Sequence, residues 1–192
     1  LGEEMTPEKA KALNADAIIV AIGSDELVPP VPGIDRDNVY SASWIHADPS
    51  LAGENVVILG GGLVGQELAI RLAMEGRKCT IVEMLDALNN GGNVIIQQAI
   101  DTQLKNYDIK IALSTKATEA GDGYLKAEGP DGEVEFKADT IVYAAGRKAK
   151  TEEVRAFNDC APRVEFIGDC RLPRVIADAN REAYYVARDI GV

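Results

Sequence analysis

Gly60, Gly62 and Gly65 stand at G-x-G-x-x-G spacing, and an acid, Glu83, closes the next apolar run. Glycines placed this way serve one kind of chemistry. Gly60 permits a tight strand-to-helix turn, Gly62 lets backbone approach a pyrophosphate, and Gly65 lets the helix pack closely on the strand. The phosphates would rest on unpaired amide N–H groups at the positive end of the helix dipole, and Gly61, Leu63 and Val64 are expected among the cofactor-binding residues. A carboxylate at position 83, followed by Met84, can accept bonds from both hydroxyls of an adenosine ribose.

Those residues need a strand, a helix and a second strand to hold them. Residues 56–59 are apolar and mostly β-branched, which predicts a buried strand. Val64, Leu68, Ala69, Leu72 and Ala73 then fall on one face of a helix, and Gly76 is placed to end it. The glycine-rich turn, the helix and the acid therefore read together as a dinucleotide site. The alternatives are a glycine-rich turn with no ligand and, for Glu83, a solvated acid at a strand end. The acid also bears on which dinucleotide binds. A 2′-phosphate about 4 Å from a carboxylate is repelled by roughly 4 kcal/mol per charge pair at an effective dielectric of about 20. The next residues, Met84, Leu85 and Asp86, offer no cation, so NADH is expected over NADPH.

The 192 residues carry a net charge of −11, which argues against nucleic acid or an anionic membrane as partner. No apolar run reaches the roughly 20 residues that span a bilayer, and no secretory signal is visible. Cys79, Cys160 and Cys170 fit neither a C-x-x-C pair nor a metal-ligand spacing; so sparse a set suits a reducing cytoplasm. Cys79 is expected in the core and Cys170 as a small semi-buried residue. With His46 as the single histidine, a His-based triad or metal centre is not expected, and His46 itself reads as a surface residue in a connecting segment. No catalytic acid, base or nucleophile and no metal ligand is assigned. The chain begins at Leu1, which suggests a piece of something longer.

Along the chain, residues 7–13 read as a short helix and 16–24 as a buried strand ending at a glycine. Pro29, Pro30, Pro32 and Gly33 resemble a linker, and a domain boundary is expected near residue 50. After Glu83 comes a loop with Asn89, Asn90, Gly91 and Gly92. A helix over 94–106 follows, with Ile96, Ile100 and Leu104 on one face, then a third parallel strand over 107–112. Strands over 114–119, 124–127 and 134–137, separated by Gly121-Asp122-Gly123 and Pro130-Asp131-Gly132, read as an antiparallel meander covering one face of the parallel sheet. Residues 139–147 repeat the early apolar strand, again ending in Ala-x-Gly. Residues 164–169 are one more strand with an acid at its carboxyl end, leading through Pro173 into a helix over 175–190.

Gly60-Gly61-Gly62-Leu63-Val64-Gly65-Gln66-Glu67, Thr80-Ile81-Val82-Glu83-Met84, Ala144-Ala145-Gly146-Arg147 and Phe166-Ile167-Gly168-Asp169-Cys170, in that order, resemble the two-dinucleotide-binding-domain flavoproteins. More narrowly they are similar to the carboxyl-terminal part of NADH:flavin oxidoreductases of the 2-enoate reductase and 2,4-dienoyl-CoA reductase type. The resemblance implies an α/β, Rossmann-like FAD/NAD(P)-binding fold, with a parallel sheet plus a meander. It implies an NAD(H)-binding domain at 50–146 and incomplete FAD-domain segments at 1–49 and 147–192. It also implies that Asp169, with Gly168, contacts the flavin ribityl chain, and that Ala145 and Gly146 form the loop under the nicotinamide. Glu67 matches the acid on the nicotinamide side, although an ion pair with Arg71 at i+4 explains it as well. Asp169 can equally be a cap on the turn before Pro173.

The departures are as informative. The glycine-rich turn that would hold the FAD pyrophosphate is missing, as are the barrel that carries FMN and the cysteines that hold a 4Fe-4S centre. Those parts are expected only in amino-terminal domains of the parent, which become partners of this chain. The two FAD-domain pieces should either pack together or expose apolar surface and self-associate into a homo-oligomer. Two functions are therefore carried forward: the NADH-receiving part of a flavin oxidoreductase acting on an activated C=C bond, and a non-redox module that holds ADP. A disulfide reductase lacks its C-x-x-C, and a methyltransferase would leave the two Ala-x-Gly strands unexplained.

Overall fold

The computed structural model describes residues 2–88 and 94–190. The chain divides into two compact units: residues 26–146, and an outer unit made of residues 1–25 and 147–192. The fold is mixed α/β, with a parallel sheet and antiparallel strands, as the sequence predicts.

The outer unit contains α1 (Pro7–Ala12), β1 (Ala17–Val20) and most of β2 (Ser24–Glu26). Within the inner unit come β3 (Val39–Ser41), α2 (Ala42–Ala47), β4 (Asn55–Leu59), α3 (Leu63–Met74), β5 (Lys78–Val82), α4 (Val94–Asn106) and β6 (Lys110–Ala112). The meander follows as β7 (Lys116–Ala120), β8 (Gly123–Gly129) and β9 (Gly132–Ala138), and β10 (Thr140–Tyr143) returns to the sheet. The outer unit resumes with β11 (Arg147–Ala149), α5 (Thr151–Arg155), β12 (Arg163–Phe166) and α6 (Ile176–Ile190).

Strands of the inner sheet are all parallel, in the order β3-β10-β4-β5-β6. Tyr143, Leu59 and Val82 stand in one row across β10, β4 and β5. The three strands therefore end side by side, and their carboxyl ends share one edge, where open α/β sheets hold ligands. α3 covers one face of the sheet through Leu68, Ala69 and Leu72, which pack with Val56, Ile58 and Ile81. The meander covers the other through Ala120, Leu125 and Ala138, against Val57, Leu59 and Ile141. Side chains buried on both faces of β4 explain its near-continuous apolar run. Each fully buried Leu or Ile contributes about 1.5–3 kcal/mol.

Local chemistry explains the element ends. α3 is built from strong helix formers and stops in a two-bond glycine cap. Arg77 N–H reaches Leu72 C=O at 3.1 Å, Gly76 N–H reaches Ala73 C=O at 3.0 Å, and Gly76 takes φ +90°. In the meander, Gly123 and Gly132 take positive φ, as tight hairpins require.

Several expectations need correction. The inner unit begins at Glu26, not near residue 50, because β3 joins the sheet beside β10 and Val31 enters its core. Val64 is 48% exposed, since it lies in the first turn of α3, beyond the end of β4 on which the later turns pack. Ile96 is likewise exposed, while Ile100 and Leu104 are buried. The early strand is short and only partly buried: among the described residues β1 pairs with β12 alone, and in a two-stranded sheet Ile19 and Ile22 stay exposed. His46 sits on a short helix, α2, and is half-buried; burial, then the Arg71 guanidinium, hold its imidazole below the ordinary value. Asn89, Asn90, Gly91 and Gly92 lie outside the described residues.

All three cysteines are free and buried. Burial pushes the Cys79 thiol up to about 12. Thiolate is the reactive form, so alkylation at pH 8 should leave Cys79 unlabelled in the native chain and label it fully in urea, as read by peptide mass spectrometry. Native labelling at the unfolded rate would contradict its placement in the core.

Candidate functional site

The glycine-rich turn leaves the end of β4. Gly60 takes φ +116°, and a Cβ there would stand 2.4 Å from the carbonyl oxygen of Ala144. A Cβ on Gly65 would stand 2.1 Å from the carbonyl oxygen of Gly60, so the first turn of α3 lies directly on the strand exit. Gly62 is the N-cap of α3 and offers no side chain to cap its first amides. These are backbone approaches that only glycine allows.

Glu83 is buried, 9% exposed, and fixes the turn from the side. Its carboxylate accepts the Gly61 N–H at 2.5 Å through one oxygen and the Leu85 N–H at 2.8 Å through the other. Gln66 Nε2 donates to the Gly61 carbonyl at 2.8 Å, so the Gly61 peptide is held at both ends. The acid expected to face a sugar is thus also a strut of the turn. A carboxylate has about four lone-pair sites, and two bonds leave capacity for a further donor.

Gly60, Gly62, Glu83, Met84, Ala145 and Gly146 line one cavity of about 440 Å³ at the carboxyl ends of β4, β5 and β10. Gly146 takes φ +103°, and Ala144 N–H bonds Leu59 C=O at 2.8 Å, so the loop after β10 is tied to the end of β4. Gly61 and Gly65 are buried and are not among the residues lining the cavity. Leu63 is half-buried and packs on the sheet core, whereas Val64 and Glu67 are exposed at the start of α3. The ion pair expected between Glu67 and Arg71 is not formed. Arg71 pairs instead with Glu75 at 3.7 Å and donates to the His46 carbonyl at 2.8 Å.

Residues distant in sequence complete the cavity, and pattern reading misses them. Pro29, Pro30 and Val31, expected to be linker, form part of its wall, as do Thr115 and Lys116 at the start of β7. Lys116 thus brings a cation to the wall of the cavity that Glu83 and Met84 also line. No local signal could have found it, because the backbone bond from Thr115 N–H to the Glu83 carbonyl brings this stretch to the cavity.

Gly168 and Asp169 belong to the outer unit, where with Gly23 and Arg174 they line a separate cavity of about 460 Å³. Asp169 accepts from the Ser24 hydroxyl at 3.3 Å and the Arg174 amide at 3.4 Å, and Arg147 Nε lies 3.9 Å away. The amide bond is the capping role that its position before Pro173 allowed. Glu182 takes the Gly168 N–H at 2.7 Å and pairs with Arg171 and Arg174. Among the described residues no group of three or more His, Cys, Asp or Glu is arranged to hold a metal ion, and no helix is long and apolar enough to cross a membrane.

A parallel sheet with a glycine-rich turn at its central strand, an acid closing the neighbouring strand and a meander on one face defines an FAD/NAD-binding, Rossmann-like α/β protein. Residues 2–175 match the family model of pyridine nucleotide-disulphide oxidoreductases, and the chain belongs to that family. Its cysteines are each free, so fold rather than a redox pair carries the membership. The chain is 31% identical over 99% of its length to bilirubin reductase of Mediterraneibacter gnavus, covering 30% of that protein. It is 32% identical over 95% of its length to cinnamate reductase of Clostridium sporogenes, covering 28% of it. The solved 2-naphthoyl-CoA reductase superposes with a TM-score of 0.89 at 25% identity, over 96% of this chain and 28% of that one. The chain thus spans less than a third of the length of these relatives.

Proposed function

We propose that residues 26–146 receive NADH for a flavin-dependent oxidoreductase whose acceptor carries an activated C=C bond. The observation that carries the reading is the shared edge of β4, β5 and β10. It puts an uncapped helix start, a buried acid and the small Ala144–Gly146 loop around one cavity. In this reading the backbone near Gly62 and Leu63 holds the diphosphate, and Glu83 accepts from the adenosine ribose. Ala145 and Gly146 give the nicotinamide a flat surface. Bound NADH would supply the hydride that a flavin takes up; the protein's part is to hold the donor in position, which hydride transfer needs more than acid–base groups. Glu67 lies at the start of the same helix and has no proton to move in this scheme.

Relatives named cinnamate reductase and 2-naphthoyl-CoA reductase favour an activated C=C acceptor. The outer unit would supply only part of an FAD site, namely Asp169, Gly168 and the start of α6. Among the described residues it has no second glycine-rich strand–turn–helix for a pyrophosphate. Domains of the parent would complete that site and carry FMN and a 4Fe-4S centre, in the cytoplasm.

Calorimetric titration of the purified chain with NADH and with ADP tests the reading. NADH should bind at least about tenfold more tightly, a difference of about 1.4 kcal/mol from contacts to the nicotinamide half. Equal affinities would leave an ADP-holding module without redox use.

A further inference from the structure

We propose that Lys116 is a specificity-determining residue at the adenosine end of the cavity, where it offers a cation to the 2′-phosphate of NADPH. The inference rests on assigning the cavity to a nicotinamide dinucleotide. It changes what Glu83 alone implies about the choice between the two cofactors.

Backbone bonds bring Lys116 there. Thr115 N–H donates to the Glu83 carbonyl at 2.9 Å, and Ser114 N–H donates to the Leu85 carbonyl at 2.8 Å. The entry to β7 is therefore stitched to the residues that follow β5, and Lys116, next along, lines the same cavity as Glu83, Met84 and Leu85. Its side chain is exposed, and no ion pair holds it among the described residues, although Glu128 stands opposite it in register on β8. A compact ammonium on a flexible four-carbon stem is free to meet an anion at the cavity mouth.

The carboxylate nearby is less repulsive than an open one. Both its oxygens already accept backbone N–H groups, at Gly61 and Leu85, and those donors offset part of its charge. A 2′-phosphate thus meets a partly compensated anion and an unpaired cation, while a 2′-hydroxyl meets chiefly the carboxylate. The preference for NADH is a balance between Glu83 and Lys116, and NADPH is retained as a weaker ligand.

Titrating wild type, Lys116→Gln and Lys116→Arg with NADH and with NADPH, at low and at raised salt, tests this. Wild type should bind NADPH no more than about tenfold more weakly than NADH. Lys116→Gln should lower the NADPH-to-NADH affinity ratio by about tenfold. Lys116→Arg should keep that ratio within about threefold of wild type, and added salt should lower the wild-type ratio more than that of Lys116→Gln. A ratio unmoved by Lys116→Gln, or no NADPH binding where NADH binds, overturns the role of Lys116 and leaves the proposed function standing. Failure of NADH itself to bind overturns both.

Discussion

Glu83→Ala is expected to weaken NADH binding by at least about 100-fold and to lower the melting temperature by about 8 °C. The two effects share one cause. The carboxylate is the acceptor for the Gly61 and Leu85 amides, and the Gly61 peptide sits at the head of the glycine-rich turn. Leaving a buried donor without an acceptor costs about 1–3 kcal/mol, and bonds to a charged acceptor are the stronger kind. A total near 3 kcal/mol corresponds to roughly 6–12 °C for a chain of this size. Binding then falls both because the ribose loses an acceptor and because the turn must be ordered before it can hold a diphosphate. Glu83→Gln keeps one acceptor oxygen and should fall between. Glu83→Arg offers none, so the obvious substitution for admitting a 2′-phosphate should disorder the turn rather than invert the cofactor choice. Thermal melts and calorimetry on these variants check the argument. An alanine variant that binds NADH as well as wild type would show the acid to be a strut only.

Gly65→Ala should be nearly as damaging, with a loss of about 3 kcal/mol in urea melts and no measurable NADH binding. The added Cβ would stand 2.1 Å from the Gly60 carbonyl oxygen and 3.4 Å from Ile58 Cγ2. The first of these is backbone, so the whole first turn of α3 must lift from the strand, and overpacking of this kind costs about 1–3 kcal/mol or more. Gly76→Ala is the internal control. It replaces a glycine of φ +90° with nothing within 4 Å of the new atom, whereas Gly65 is helical and has only the close contact. Only left-handed strain of about 1 kcal/mol should appear, with NADH affinity kept. Equal losses at the two positions would mean that the close approach of helix to strand at Gly65 costs no more than the left-handed strain at Gly76.

Much of the inner unit can be read from local pattern. Strand, glycine turn, helix and acid lie within one βαβ stretch, where spacing alone orders them, and the hairpin glycines announce the meander. The cavity wall is another matter. Pro29, Pro30 and Val31 look like linker because proline-rich turns carry no periodicity. Lys116 looks like any strand-end lysine until the Thr115 amide is seen on the Glu83 carbonyl. Glu83 itself is legible by position, yet its second task, bracing Gly61, is invisible because no pattern records where a carboxylate's other oxygen points. In the outer unit the apolar runs are plain, but burial does not follow from them. Among the described residues β1 has β12 as its one neighbour and α6 has no buried residue, and Ile176 and Tyr184 remain exposed.

The inner unit is also closed at its own margins. Leu27 N–H donates to the Gly146 carbonyl at 3.0 Å, so the second and the last residues of this stretch are joined by a hydrogen bond. A segment that starts and finishes at the same point can be spliced into a host protein without separating the host's flanking strands. Residues 26–146 therefore form a block whose insertion asks of a host only two chain ends that lie close together.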